Sequence, residues 1–316
     1  MRAAYLASRL LHLVPTVIGA VSLVFVIIRL APGDPIQFLV GQLGDAVNPA
    51  LVRMLRQHYG LDMPIYYQYV KYVGNAITGN LGVSIHSNVP VLKTIASQLR
   101  PTVELALSAV LIAVVLGIPL GIVAAVRRNS AMDYVVMTGA VVGVSAPPFW
   151  VGILLIYLLG YRYPLFPMFG GGSGGLFQTW PYLVLPALAI GSRSMALLAR
   201  MSRSAMLEVL RQDYIRTARA KGLSEFLVVN RHAIRNAGLP IVSVIGIDMA
   251  YLLGGAVTIE IVFSRPGIGR LMVEAIFSRD YPLVQGCIIV FCLGVILVNL
   301  LTDVVYSLVD PRLTYD

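Results

Sequence analysis

Six long apolar runs dominate this sequence, at about residues 10–28, 103–126, 134–159, 182–199, 239–261 and 283–309. Each is about the length of a helix that crosses a bilayer. Lipid supplies no hydrogen-bond partners to the backbone, so a spanning run closes its N–H and C=O groups within a helix. Composition supports this reading, because 58% of the 316 residues are hydrophobic and only 12% are charged. That charge is about half the share found in soluble domains, too little to cover a water-facing surface. A soluble globular, disordered or fibrous chain is excluded. The expected fold class is an all-α integral membrane protein with six transmembrane helices.

The first run follows Arg2 and Arg9, as the apolar part of a signal peptide would. It is longer than such a segment, and Arg29, Pro32, Asp34 and Pro35 stand where a small-x-small cleavage site would be. It is expected to remain as an uncleaved span. Pro147-Pro148 interrupts the third run and predicts a kink there.

Orientation follows the basic residues of the connections. With the N-terminus inside, thirteen of the 24 Lys and Arg residues fall on the inner side and ten on the outer. Five of those ten lie in the long segment 31–100, and long loops weigh little in this rule. The short connections therefore place both termini in the cytoplasm. The net charge of +9 is read as this topology bias and not as a nucleic-acid surface.

The organisation expected is a first span with a short cytoplasmic N-terminus (1–30), an external segment (31–100), a core of five spans (101–309) and a cytoplasmic C-terminus (310–316). The external segment carries amphipathic stretches at 51–59 and 65–77 and is expected to be a partly helical cap. The core contains the largest cytoplasmic connection, 200–238. Glycines at 170–172 and 174–175 lack the strand and helix that frame a phosphate loop, so they read as a flexible connection.

Several chemistries find no residues. A P-loop needs GxxxxGK followed by Ser or Thr. Of the three lysines, Lys71 precedes Tyr72 and Lys221 precedes Gly222, while Lys93 follows Leu92 where Gly is required. His12, His58, His86 and His232 are scattered, and Cys287 and Cys292 share one apolar run without a metal-ligand or disulfide pattern. No catalytic constellation and no resident cofactor or metal is expected. An intramembrane protease is a formal alternative, but no paired-Asp or His-Glu-x-x-His motif stands out.

The connection 200–238 carries the most specific pattern. Good helix formers flank Gly222, which suits a turn of positive φ. Val209, Tyr214 and Ala218 are placed on one face, and Arg211, Arg216 and Arg219 on another. The pattern predicts a helix-turn-helix under the membrane. It serves either as a partner-docking element or as a basic helix lying on the membrane surface.

DYIRTARAKG followed by RHAIRNAGLP resembles the EAA loop of membrane subunits of ATP-binding-cassette importers, in the variant of the dipeptide/oligopeptide permeases. Arg216-Thr217-Ala218 stand where the strict pattern has Glu-Ala-Ala, and the spacing from Gly222 to Pro240 is longer than the general one; both departures match that variant. LAPGDP at 30–35 and YGLDMPIYYQY at 59–69 are similar to the segment after the first span in B-type subunits. Phe263, Pro266, Gly267, Gly269, Asp280, Tyr281 and Pro282 are similar to the family's last external connection, and Asp310-Pro311-Arg312 to its ending.

The resemblance covers the whole chain and implies a type I importer permease fold in a bacterial or archaeal plasma membrane. It implies a homologous C-type permease partner, two cytoplasmic ATPase subunits that bind ATP and Mg, an external substrate-binding protein and surrounding membrane lipids. In this reading Asp213, Tyr214, Arg216, Thr217, Ala218, Ala220, Lys221 and Gly222 couple to the ATPase, with Ala218 and Ala220 permitting close helix approach. The implied cargo is di- or oligopeptide, with nickel or glutathione as alternatives. A secondary transporter or channel is the contrasting class; it usually shows internal repeats, and no clear repeat relates the first three runs to the last three.

Ionisable residues inside spans are costly and invite a functional reading. Arg193 and Asp248 lie in the fourth and fifth runs. Two readings stand: a structural ion pair, or groups lining a hydrated pathway that faces peptide termini. Ser145, beside the carbonyls freed at Pro147-Pro148, is a third pathway candidate; a packed kink is its other reading. Glu104, Glu260 and Asp303 lie near run ends, where structural roles are expected.

Overall fold

A computed structural model describes residues 2–30, 36–37, 40, 49–172 and 176–309. Residues 31–35 of the LAPGDP motif, 173–175 of the glycine-rich connection and the Asp310-Pro311-Arg312 ending lie outside the described residues.

Helices account for nearly all of the described chain: α1 (Arg2–Leu30), α2 (Pro49–Tyr59), α3 (Ile65–Ile77), α4 (Val91–Val126), α5 (Ala131–Ser145), α6 (Pro148–Arg162), α7 (Leu176–Val209), α8 (Asp213–Ala220), α9 (Ile234–Val262), α10 (Ile268–Phe277) and α11 (Tyr281–Val309). One isolated antiparallel bridge, Val83 with Pro90, stands among the described residues. The amphipathic stretches 51–59 and 65–77 coincide with α2 and α3.

The expected six spans are not all matched. Among the described residues, four helices are long and apolar enough to cross a membrane: Val91–Val126, Gln178–Val209, Pro240–Val262 and Tyr281–Val305. The third apolar run is not one straight helix. Its halves, α5 and α6, meet at 108°, which makes it a broken span or a re-entrant loop and brings the total to five at most. The cause is local: Ala146 and Pro147 are extended, with ψ 127° and 133°, and the consecutive prolines remove two helix donors. In α1 the apolar helical stretch is Pro15–Ile27, short of a full crossing.

The chain divides into two compact units. One unit joins residues 1–100 to 266–296. Its core packs Val24, Val91, Ile95, Ile268, Ala275, Leu283, Val284 and Cys287 together. The other unit joins 101–265 to 297–316. Its centre is α7, the apolar window of which is 61% buried inside the protein. Leu185, Ala187, Ala189 and Ile190 of α7 are buried with Leu105, Ala109, Leu252, Ala256 and Ile259. Close approach depends on small residues: a Cβ at Gly121 would overlap the Ala199 carbonyl oxygen, so α4 and α7 touch backbone to backbone there, as helices in lipid often do.

Candidate functional site

The loop after α7 is a compact helical hairpin. α7 ends at Val209, and α8 begins after Gln212 with Asp213 in its first turn, where a carboxylate complements the helix dipole. Gly222 then turns the chain with φ +76°. The return passes through Glu225–Leu227 and a π-type turn, Val228–Ala233, that runs directly into α9. Gly222 thus adopts the left-handed conformation expected of it, one that costs other L-residues about 1 kcal/mol or more. A Cβ placed there would meet nothing within 4 Å.

The α8 faces differ from the sequence assignment at one position, Tyr214. Ile215 and Ala218 turn inward, against a cluster of Met206, Val228, Val229, Ala233 and Ala237. Ala218, read from the sequence as a small residue for close approach, is buried against its own chain. Tyr214, placed on the same face as Ala218, is instead 43% exposed, and its hydroxyl accepts from Asn236 Nδ2 at 3.0 Å. Periodicity showed two faces but not that Ile215, three residues before Ala218, anchors the inner one.

What remains outward is a polar face. Asp213, Arg216, Thr217, Ala220, Lys221 and Gly222 are all exposed. Thr217 donates back to the Asp213 carbonyl at 3.0 Å, and Arg216 lies 3.6 Å from the Asp213 carboxylate. At the turn, Arg219 holds Glu225 through two hydrogen bonds of 2.6 and 3.0 Å. That hydrogen bonding lowers the Glu225 carboxyl below its ordinary value and raises the Arg219 guanidinium. The result is an amphipathic helix fixed on its apolar side and offering charge and hydrogen-bonding groups on the other.

The pathway candidates are partly brought together. Arg193 Nη1 lies 3.3 Å from Asp248 Oδ1, and its guanidinium carbon sits 3.9 Å from the Tyr251 ring centroid. Their side chains are 29% and 6% exposed. Ser145 is exposed at the α5–α6 bend and makes no hydrogen bond to either.

The family-signature residues fall in two places. Phe263 is buried at the end of α9, and its carbonyl accepts from Gly170 N at 3.0 Å. Pro266 and Gly267 lead into α10, with Gly269 buried in its first turn. Asp280 is buried and accepts from Ser84 Oγ, Ile85 N and Leu283 N, so it caps α11 while pinning the 84–85 segment. Tyr281 and Pro282 line a cavity in the same unit.

Several buried polar partnerships had no clear sequence signal. Arg203 makes a two-pronged bond to Asp133, Nε to Oδ1 at 2.6 Å and Nη2 to Oδ2 at 2.7 Å. Thr102 donates to Glu260 at 2.6 Å, and Arg265 reaches Glu104 at 3.5 Å. The positions of Glu104 and Glu260 at run ends suggested structure, but their partners are set by tertiary packing. No group of three or more potential metal ligands exists among the described residues.

Comparison with known proteins places this arrangement. The family described as "Binding-protein-dependent transport system inner membrane component" matches residues 117–315, and a family for the N-terminal part of such components matches residues 3–106. The chain is 41% identical over 311 residues to the glutathione transport system permease protein GsiC of Escherichia coli strain K12, covering 98% of this chain and 99% of that protein. The protein of the same name from Shigella dysenteriae serotype 1 matches with the same identity and coverage. Among solved structures, the inward-facing MetNI methionine ABC transporter in its CY5 native crystal form matches with a TM-score of 0.60 at 17% identity, covering 70% of this chain and 98% of that one. That likeness is one of fold.

Proposed function

Because this chain belongs to the family of binding-protein-dependent transport system inner membrane components, and is thus an inner-membrane permease subunit of an ABC importer, we propose that it imports short peptides, glutathione among them. The observation that carries the cargo is 41% identity across 98% of the chain to permeases named for glutathione transport. Glutathione is itself a tripeptide, so this narrows the peptide class suggested by the loop pattern. Nickel, which the resemblance also admitted, is the alternative cargo.

An importer of this family works in general with a second permease, ATPase subunits and a binding protein. In the proposed assembly the second permease is a C-type homologue, two ATPases take up ATP and Mg, and an external protein delivers cargo. Six crossings, with both termini cytoplasmic, complete the arrangement; α1 and the bent α5–α6 pair supply the two crossings that are not straight, full-length helices. The outward face of α8 docks in an ATPase groove. Closure of the ATPase dimer then moves α8, and the buried Ile215–Ala218 side passes that motion into the bundle around α7. In free-energy terms the loop biases a two-state bundle between inward-open and outward-open forms.

The test separates coupling from assembly. In the reconstituted transporter, Gly222→Asp is expected to insert and assemble but to uncouple ATP hydrolysis from uptake. Normal glutathione uptake by this variant would refute the coupling role. Cargo is tested by supplying glutathione, a dipeptide and a nickel salt to the same wild-type vesicles with the cognate binding protein. Uptake of nickel alone would refute the peptide reading.

A further inference from the structure

The unit of residues 1–100 and 266–296 carries a half-open cavity of about 160 Å³ that the transport cycle proposed above does not use. By volume it holds about five waters, enough for a phosphate group. Arg29, Lys71, Tyr72, Asn75, Asn80 and Gln285 are among its walls, and among the described residues no carboxylate is. The nearby Asp280 is already engaged by three donors.

Among the described residues, three of these side chains keep a buried polar atom without a hydrogen-bond partner: Arg29 Nη1, Tyr72 Oη and Gln285 Nε2. Arg29 and Gln285 can only donate from these atoms, and burial raises the Tyr72 phenol, which keeps its proton and so donates as well. Buried donors left unmatched are destabilising, so such a set calls for an acceptor. Arg29 is already oriented. Its Nη2 donates to Gln68 Oε1 at 2.6 Å, and the guanidinium carbon lies 3.7 Å from the Phe25 ring centroid. Gln68 is held in turn by its amide, which donates to the Met63 carbonyl at 2.7 Å. An oriented cation, a second cation and unmatched donors describe an oxyanion site.

The position of the cavity selects the oxyanion. Arg29 lies in the last turn of α1, two residues beyond the apolar stretch Pro15–Ile27. Tyr59, Tyr67, Tyr72 and Tyr281 surround the cavity, and tyrosines gather where hydrocarbon meets headgroups. A guanidinium and an ammonium at the end of a membrane helix can offer a lipid phosphate charge-assisted hydrogen bonds. We propose that this cavity binds the phosphate of an anionic phospholipid headgroup, held by Arg29, Lys71, Tyr72 and Gln285.

The experiment uses the complete transporter, stripped of lipid and placed in neutral phosphatidylcholine nanodiscs. Phosphatidylglycerol is titrated in, and lipid retained per transporter is read by native mass spectrometry. The wild type should hold one phosphatidylglycerol per copy of this chain more tightly than the rest. Arg29→Gln and Lys71→Gln should each weaken it about tenfold, the size expected for a lost charge-assisted hydrogen bond. Lys71 is exposed, so its variant reports binding even where Arg29→Gln fails to fold. Arg53→Gln, an exposed change outside the cavity wall, should leave retention unchanged. Equal weakening by Arg53→Gln would mean diffuse attraction and overturn the site, as would unchanged retention in Lys71→Gln. Inorganic phosphate is titrated in parallel. If it protects the wild type from unfolding where phosphatidylglycerol does not, and Lys71→Gln abolishes that protection, the anion comes from solution and the lipid assignment falls.

Discussion

Asp133 lies in the first turn of α5 and accepts from three groups: two nitrogens of Arg203 and the backbone N–H of Asn129 at 2.9 Å. Ser130, the residue before the helix, accepts from the Asp133 N–H at 3.3 Å and completes the cap. The carboxylate is 4% exposed, whereas the Arg203 side chain is 24% exposed. Breaking a buried pair by removing one partner costs about 3–5 kcal/mol. Solvent access to Arg203 moderates this, so we expect about 2 kcal/mol for Asp133→Asn. Arg203→Lys should fall between that variant and the wild type, since an ammonium cannot reproduce the fork. Thermal unfolding of the purified transporter in detergent checks the order; equal midpoints for all three would show that this pair does not hold α5 to α7.

At the scale of elements, the α8 hairpin is closed at its tip by Arg219 and Glu225, which are 42% and 52% exposed. Arg219 holds the Glu225 carboxyl below its ordinary value of 4.5. A carboxyl lowered on folding adds stability above its unfolded value, and that stability is lost as pH falls through the folded value. Protection of the 213–227 amides from hydrogen exchange should therefore be flat from pH 8 to 6 and decline only in acid. Glu225→Gln should copy the acid state at neutral pH, with exchange faster by at most about fivefold, the ceiling for an exposed pair. An equal loss of protection between pH 8 and 6 would point to another group. Much of this element was legible in the sequence. Helix formers around Gly222 marked the hairpin, and α2 and α3 followed from their amphipathic stretches. The inward turn of Ala218 was not legible, because periodicity separates two faces without saying which one the chain keeps for itself. Nor was the 108° bend: Pro147-Pro148 announces a break, while its angle depends on the extended backbone at Ala146 and Pro147. The pairs Arg203–Asp133 and Arg193–Asp248 span 70 and 55 residues, a separation that local pattern does not reach; only the second was suspected, from charges set inside apolar runs.

For the whole molecule, the number and sense of the membrane crossings turn on the α5–α6 pair. The long helices leave much apolar side-chain surface uncovered. Leu111, Val115, Val135, Val141 and Ile247 are each more than half exposed, as lipid or a second permease requires and water would not permit. Four straight helices alone would put the two ends of α4 to α11 on sides that depend entirely on the α5–α6 pair. If that pair crosses, the 127–130 turn and the α8 hairpin lie on the same side. If it re-enters, they lie on opposite sides. Replacing Cys287 and Cys292 with Ser and adding single cysteines at Asn129, Lys221 and Asn75 allows a direct reading, since all three chosen sites are in loops or on exposed helix surface except the partly buried Asn75. With intact spheroplasts and a membrane-impermeant maleimide, the proposed topology expects label at Asn75 only. Lysis should then open Asn129 and Lys221 together. Label at Asn129 but not Lys221 in intact cells would make α5–α6 a re-entrant loop and reduce the crossing count. Label at Lys221 would place the α8 hairpin outside, where no ATPase could reach it, and would end the coupling proposal along with the topology.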